Sequence, residues 1–165
     1  MKRVPVILQM TPNECGAACL AMILTYYGRE TTVSEGRQVL HSGRDGVTAR
    51  EIAQAARDLG LRVKAYSVEP AGLAQIQVPA IVHWRFDHFL VLERWTPNGV
   101  DVVDPAVGRR RLSSEEFGAD FTGVVLALEP GTDFTRQRSQ YKLSWRTFLG
   151  SLMKTPGTSG LFTQI

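Results

Sequence analysis

The chain changes from an extended segment to an apolar helix along Gln9-Met10-Thr11-Pro12-Asn13-Glu14-Cys15-Gly16-Ala17-Ala18-Cys19-Leu20. Pro12 and Asn13 predict the turn and cap at which the helix begins, and Gly28 predicts its end. Apolar residues recur between these limits at helical spacing. We therefore predict a helix over 15–27 with Cys15 in its first turn. Free backbone N–H groups and the helix dipole favour a thiolate at that position.

A cysteine nucleophile requires a base, a group that orients the base, and donors for the developing oxyanion. Gln9 precedes Cys15 on a strand-like segment over 4–10, and its side-chain amide is a candidate oxyanion donor. His88 begins an apolar strand and is the candidate base. Asp104 ends the next strand and is the candidate that holds the imidazole in the required tautomer.

These residues form the pattern Q-x-x-x-x-E-C-G-x-A-C, followed by D-H-F and V-V-D-P. The pattern resembles the papain-like cysteine peptidase domain of peptidase-containing ABC transporters, and the similarity runs from about residue 4 to residue 130. Smaller matches fall in the same order at Tyr26-Tyr27-Gly28, Gly43-Arg44-Asp45-Gly46 and His83-Trp84. The resemblance implies that Cys15 is the nucleophile, His88 the general base, Asp104 its orienter and Gln9 the oxyanion-hole donor.

The resemblance also implies a function. Domains of this kind remove the leader from bacteriocin precursors after a double-glycine-type motif (Gly-Gly, Gly-Ala or Gly-Ser), and the parent transporter exports the product. The segment Val4-Pro5-Val6-Ile7-Leu8-Gln9 is similar in sequence to the subgroup of these domains that processes lanthipeptide precursors. The implied partners are a precursor with an amphipathic helical leader and the transporter's membrane and ATPase domains, at the cytoplasmic face of the membrane. No cofactor is implied for this domain, since ATP and Mg²⁺ belong to the ATPase domain.

Composition narrows the function classes. The chain has 165 residues, of which 44% are hydrophobic and 21% charged, as expected for one globular domain. A net charge of +3 without a basic patch argues against a nucleic-acid partner. Two cysteines four apart on one helix do not favour a disulfide, and no secretory signal is apparent, so we expect a reducing cytoplasm. The absence of a long apolar run and of a phosphate-binding loop predicts that these residues neither span a membrane nor hydrolyse ATP.

Periodicity predicts helices in the first half and strands in the second, which makes an α+β domain. We predict helices over 15–27, 34–40 and 49–59, and strands over 61–66, 78–84, 89–95, 100–104, 110–112 and 123–128. Capping boxes at Thr48 and Ser113 mark two helix starts. The helical N-terminal lobe would pack on an antiparallel sheet lobe, with the substrate cleft between them. We predict a peptidase domain over 1–130, a polar linker over 131–142, and over 143–165 an amphipathic helix that begins a membrane domain.

One element of this prediction tests the catalytic assignment. A regular two-residue turn at Asn98-Gly99 would place Glu93 opposite Asp104, five residues from His88. Five residues of strand span roughly 16 Å, too far for a hydrogen bond. A His–Asp pair therefore requires a longer, asymmetric loop through 95–99 and bulged pairing.

Each candidate residue also has a structural interpretation. Cys15 and Cys19 could bind a metal ion together with His83 or His88, as in a metal-binding regulatory domain. Cys19 fits better as core packing behind Cys15, and His83 fits a packed, hydrogen-bonded histidine near the cleft, whereas His41 lies in an exposed polar loop. Gln9 could simply satisfy a backbone group, and Asp104 before Pro105 could be a turn residue. The main alternative function is a non-catalytic leader-docking domain of an exporter.

Overall fold

The computed structural model describes residues 2–41 and 46–138. Along these residues the helices are α1 Cys15–Tyr26, α2 Val33–Leu40, α3 Ala49–Asp58 and α4 Ser114–Asp120, with 3₁₀ turns at Pro12–Glu14 and Pro70–Gln75. The strands are β1 Leu61–Ser67, β2 Ala80–Trp84, β3 His88–Thr96, β4 Gly99–Asp104, β5 Gly108–Leu112 and β6 Phe121–Pro130. Three helices precede the strands and α4 lies between β5 and β6, so helices and an antiparallel sheet are largely segregated along the chain, which confirms the predicted α+β class.

The described strands form one antiparallel sheet in the order β1-β6-β2-β3-β4-β5. Side chains alternate between its two faces. One face packs on the buried helix α1 through Ile81, Phe89, Val91 and Val103. The other face carries Leu90, Leu92 and Val102, and it is covered by Phe117 of α4 and Leu73. The sheet thus lies between two apolar clusters.

Helices α1 and α2 approach each other closely because glycine lies at their contact. A Cβ added at Gly36 would stand 2.8 Å from the carbonyl oxygen of Ala17, closer than a side chain tolerates. Gly16 has the same role against Val47 and Ile52. The small residues that follow Cys15 are therefore required for packing as well as for helix formation.

The segment 4–10 is not a strand, contrary to the sequence prediction. Pro5 lacks a backbone donor, and the N–H of Val4 donates to the Glu93 carboxylate at 2.8 Å instead of to a neighbouring strand. Arg109 donates to the carbonyl of Val4, and the N–H of Gln9 donates to the carbonyl of Pro105 at 2.8 Å. Side chains and one loop therefore fix this extended segment along the sheet.

The β3–β4 hairpin is tight, so the predicted long loop over 95–99 is wrong. Thr96 pairs with Gly99 across a two-residue turn. The predicted bulge is confirmed, because the register shifts between Leu92 and Arg94 and leaves Glu93 as an extra residue. Continued to the strand end, the bulged register places Asp104 opposite Leu90, two residues from His88.

This single extra residue determines which face of the sheet carries Asp104. Val103 pairs with Val91, so Asp104 shares a face with Leu90 and His88. Without the bulge, Asp104 would lie opposite Val91 and point to the other face. Glu93 thus makes a His88–Asp104 contact geometrically possible.

Residues 131–138 pack back on the domain. The Phe134 ring meets Tyr27 edge to face at 6.4 Å, and Arg29 pairs with Gln137. Part of the Gly43-Arg44-Asp45-Gly46 match, the linker beyond 138 and the predicted helix over 143–165 lie outside the described residues. The proposed domain boundaries therefore stay a prediction. Within 2–41 and 46–138, the helices are too short or too polar to cross a bilayer.

Candidate active site

Cys15 begins α1 and is 5% exposed. The preceding turn is built around Glu14, whose carboxylate accepts the N–H groups of Met10 and Thr11 at 2.8 and 2.9 Å. Arg37 of α2 donates to the other Glu14 oxygen at 3.0 Å. Burial acts to raise the pKa of Glu14, but these hydrogen bonds and the charge of Arg37 outweigh it and lower the pKa. An ionised, fully bonded carboxylate therefore fixes the turn that presents Cys15.

His88 and Asp104 form a hydrogen-bonded pair, with 2.8 Å between Nε2 and Oδ1. The side chains are 16% and 5% exposed. The same oxygen of Asp104 accepts the N–H of Ala106 at 2.9 Å. His88 also hydrogen-bonds Cys15, and because Nε2 faces Asp104, Nδ1 is the ring nitrogen directed at the thiol.

The electrostatics of this pair favour an imidazolium next to a carboxylate. Burial lowers the pKa of His88, but hydrogen bonds to Asp104 and Cys15, and their negative charges, raise it to about 9. Burial likewise raises the pKa of Asp104, while the His88 and Ala106 hydrogen bonds and the charges of His88 and Arg110 hold it below its usual range. Asp104 is consequently ionised and His88 is protonated at neutral pH.

The four predicted residues line one cleft, located where α1 begins, β3 begins and β4 ends. It encloses about 680 Å³. Its helical side includes Gln9, Asn13, Cys15 and Val47, and its sheet side includes His83, Trp84, His88 and Asp104. The backbone N–H of Gln9 donates to the carbonyl of Pro105 in the loop after Asp104, and Gln9 lines the same cleft as Cys15. Its side-chain Oε1 is buried and has no hydrogen-bond partner among the described residues.

The alternative interpretations of Cys19 and His83 are resolved by their contacts. Cys19 is fully buried, its thiol donates to the carbonyl of Phe89 at 3.4 Å, and burial raises its pKa well above the ordinary value. His83 Nδ1 lies 3.0 Å from Thr122 Oγ1, and its ring packs on Phe89 at 4.8 Å. These contacts are those expected of a packed cysteine and of a packed, hydrogen-bonded histidine near the cleft, and His41 is exposed. Among the described residues, no group of three or more His, Cys, Asp and Glu side chains is arranged to hold a metal ion.

In this site a buried cysteine begins a helix and hydrogen-bonds a histidine, which in turn hydrogen-bonds an aspartate. This is the arrangement of a cysteine peptidase. Residues 3–133 match the Peptidase C39 family. The chain belongs to this family of cysteine peptidases. Its C39 domain occupies most of the chain.

Curated relatives of this C39 domain are processing and secretion proteins. It is 38% identical over 151 residues to the colicin V secretion/processing ATP-binding protein CvaB of Escherichia coli. It is 30% identical over 135 residues to the lactococcin-G-processing and transport ATP-binding protein LagD of Lactococcus lactis. The alignments cover 92% and 78% of this chain but only 22% and 19% of those proteins. The chain therefore spans about a fifth of these relatives' length.

Solved structures support the fold. A double glycine motif protease from an AMS/PCAT transporter, solved in complex with the leader peptide, superposes with a TM-score of 0.75 at 41% identity. The match covers 78% of this chain and 93% of that one. The peptidase domain of Streptococcus ComA, a bifunctional ABC transporter, superposes with a TM-score of 0.73 at 27% identity over 78% and 99% of the two chains. The α+β architecture is thus that of C39 peptidase domains.

Sequence reasoning assigned no role to Glu14, Glu93 or Arg110. Glu14 was part of the recognised pattern, and its place just before the nucleophile could have indicated a structural role. Arg110 had a weaker signal. Strand alternation in Arg109-Arg110-Arg111 turns the middle residue to the opposite face, which carries Asp104 on the next strand.

Proposed function

We propose that this C39 domain cleaves the leader from ribosomally made bacteriocin or lanthipeptide precursors after a double-glycine-type motif (Gly-Gly, Gly-Ala or Gly-Ser). The observation that carries the proposal is that His88 hydrogen-bonds both Cys15 and Asp104 on the wall of one cleft. The names of the processing relatives supply the substrate class.

In the first step, Cys15 is the nucleophile and His88 its base. His88, protonated at neutral pH, holds the proton that Cys15 gives up, and the Cys15 sulfur forms a bond with the carbonyl carbon of the last leader residue. The carbonyl electron pair moves to oxygen, where the Gln9 amide and the Cys15 backbone N–H donate hydrogen bonds. One such donor contributes about 3 kcal/mol to the transition state.

In the second step the tetrahedral intermediate collapses. The C–N bond breaks, and His88 transfers its proton to the leaving amine, which frees the mature peptide. A water molecule then gives a proton to His88 and attacks the thioester carbonyl. The C–S bond breaks, the leader's new carboxylic acid loses its proton to solvent, and the Cys15–His88 pair is regenerated with its proton on His88. Asp104 keeps Nδ1 of His88 directed at the sulfur throughout.

The amphipathic leader helix requires an apolar surface near the cleft. Val6, Leu8 and Met10 alternate along the extended segment that leads to Gln9, and they are 44%, 52% and 90% exposed. Val107, 66% exposed, lies on the loop across the cleft rim. We define these four residues as the rim row. The apolar face of the leader helix would pack on the rim row, which leads to the cleft.

We further propose that the domain acts at the cytoplasmic face of a membrane, as part of a multi-pass peptide exporter whose membrane and ATPase domains are its other partners. The relatives are ATP-binding secretion proteins, and this chain matches about a fifth of their length. ATP and Mg²⁺ would serve that ATPase part. Thiol, imidazole and carboxylate suffice for the cleavage itself, so the domain needs no cofactor.

The test uses synthetic precursors with leaders ending in Gly-Gly, Gly-Ala or Ala-Ala, analysed by intact-mass spectrometry. We expect the chain to cleave after Gly-Gly and Gly-Ala, and Cys15→Ala to bind the leader without cleaving it. Adding Leu8→Ser to Cys15→Ala should weaken leader binding measured by fluorescence anisotropy. Binding without cleavage by the unmodified chain would refute the peptidase proposal and support a docking domain. Equal binding by the single and double variants would refute the rim row.

A further inference from the structure

Arg110 differs from its two neighbours on β5 in which carboxylate it meets. Arg109 and Arg111 lie on one face of the sheet, where Arg109 bonds Glu93 at 2.8 Å and Arg111 bonds Asp101 at 2.9 Å. Arg110 points to the other face. Its Nη2 lies 3.5 Å from Oδ2 of Asp104. Of this arginine run, therefore, Arg110 is the residue that reaches the site.

The two oxygens of Asp104 are held by different groups. Oδ1 accepts both His88 Nε2 and the Ala106 N–H, whereas Oδ2 faces Arg110. Rotation of the carboxylate about its Cβ–Cγ bond moves both oxygens together, so a contact on Oδ2 also affects the position of Oδ1. A cation on the second oxygen restrains this rotation, so Arg110 controls the plane in which Oδ1 meets the imidazole.

Arg110 is itself held by an aromatic ring. Its guanidinium carbon lies 5.1 Å from the centroid of Trp84, within the range of a cation–π contact. Trp84 is 4% exposed and pairs directly with His88 across β2 and β3. Arg110 Nε is buried and has no acceptor among the described residues. The cation–π contact with Trp84 and the ion pair with Asp104, rather than a complete set of hydrogen bonds, thus hold the guanidinium.

We propose that Arg110 is a positioning residue of the peptidase reaction: in cation–π contact with Trp84, it holds the Asp104 carboxylate in the plane that keeps Oδ1 on His88 Nε2. The inference rests on the proposed function, because it assigns Arg110 a role in orienting the proposed base. In this role Arg110 acts through Asp104.

Loss of Arg110 has two opposite effects on His88. The charged and titratable groups facing the imidazole are Cys15, Asp104 and His83, with Arg110 behind Asp104. Removing a cation would raise the pKa of His88, whereas a rotated carboxylate would release Nε2 and lower it. Arg110 is one-third exposed, so solvent screens its charge. We expect the second effect to dominate.

The experiment compares Arg110→Met and Arg110→Lys with the matched control Arg111→Met. The control removes the same charge from the same strand and breaks an ion pair on the opposite face. We expect Arg110→Met to lower kcat about tenfold with KM unchanged, and to move the basic limb of the pH profile about one unit downward. Arg110→Lys keeps the charge but loses the planar fork, so kcat should recover only in part. Arg111→Met should match the unmodified chain.

Iodoacetamide alkylation of Cys15 against pH gives a readout that needs no substrate, and it separates this inference from the proposed function. If the unmodified chain cleaves no precursor, the peptidase proposal fails, while the alkylation profiles still test Arg110. Equal kcat and equal profiles for Arg110→Met and Arg111→Met would overturn the inference. So would an upward shift of the basic limb with full recovery by lysine, or a rise in KM at constant kcat. Thermal unfolding identifies any variant that does not fold, and the lysine variant then decides.

Discussion

Asp104→Asn tests the proposed catalytic pair most directly, because it removes one charge and keeps the shape of the side chain. The pKa of His88 is raised from 6.5 to about 9, and its side chain is only 16% exposed. At 1.36 kcal/mol per pKa unit, this difference corresponds to about 3.4 kcal/mol. Asp104 and Cys15 both stabilise the imidazolium. We therefore assign about half of this free energy to Asp104, which is about 1.7 kcal/mol or a factor of about 20.

The sign of the pH effect follows from this assignment. Because Asp104 stabilises the imidazolium, its loss lowers the pKa of His88, and the protonated form disappears at lower pH. We expect the basic limb of kcat/KM to move down by about one pH unit from its position near 9. Cleavage should fall about 20-fold above pH 9 and much less at pH 7. The assay is precursor cleavage by mass spectrometry from pH 6 to pH 10.

Asp101→Asn is the matched control, because Asp101 lies on the same strand and pairs with Arg94 and Arg111, away from His88. It should leave the pH profile in place. The reasoning is refuted if Asp104→Asn leaves the basic limb unmoved or shifts it upward. An equal shift in the two asparagine variants would refute it as well, because the effect would then be one of general charge.

Two further predictions concern the framework of the site. Deleting Glu93 removes the bulge and turns Asp104 away from His88, so cleavage should fall about 100-fold or more. Glu93→Ala keeps the bulge and should lower the free energy of unfolding by only about 1–2 kcal/mol. A folded deletion variant as active as Glu93→Ala would contradict this. Gly36→Ala would push a Cβ to 2.8 Å from a backbone oxygen and should lower the free energy of unfolding by about 1–3 kcal/mol. In Gly118→Ala the new Cβ would meet its nearest neighbour at 3.6 Å, so this variant should raise the free energy of unfolding by about 0.5–1 kcal/mol. Urea unfolding that ranks the two variants in the opposite order would disprove the packing argument.

Most of the fold could be predicted from the sequence because its signals are local. The capping boxes at Thr48 and Ser113 and the stop at Gly28 gave helix ends within one or two residues of those observed. Segment 4–10 was mispredicted as strand-like. Its alternation of exposed and buried residues is real, but its partners are the side chains of Glu93 and Arg109 rather than another strand.

The sequence by itself determined the order of the helices and strands, the position of Cys15 at a helix N-terminus, and the family. Capping residues, glycines and the Q-x-x-x-x-E-C-G pattern act within a few residues, so they can be read without the fold. The tertiary structure alone decided whether Asp104 faces His88. One extra residue at Glu93 reverses which residues of β3 point to each face of the sheet, and a glutamate has no local property that predicts a bulge. Arg110 depends on the same non-local register, because its partners are brought to it by pairing between strands.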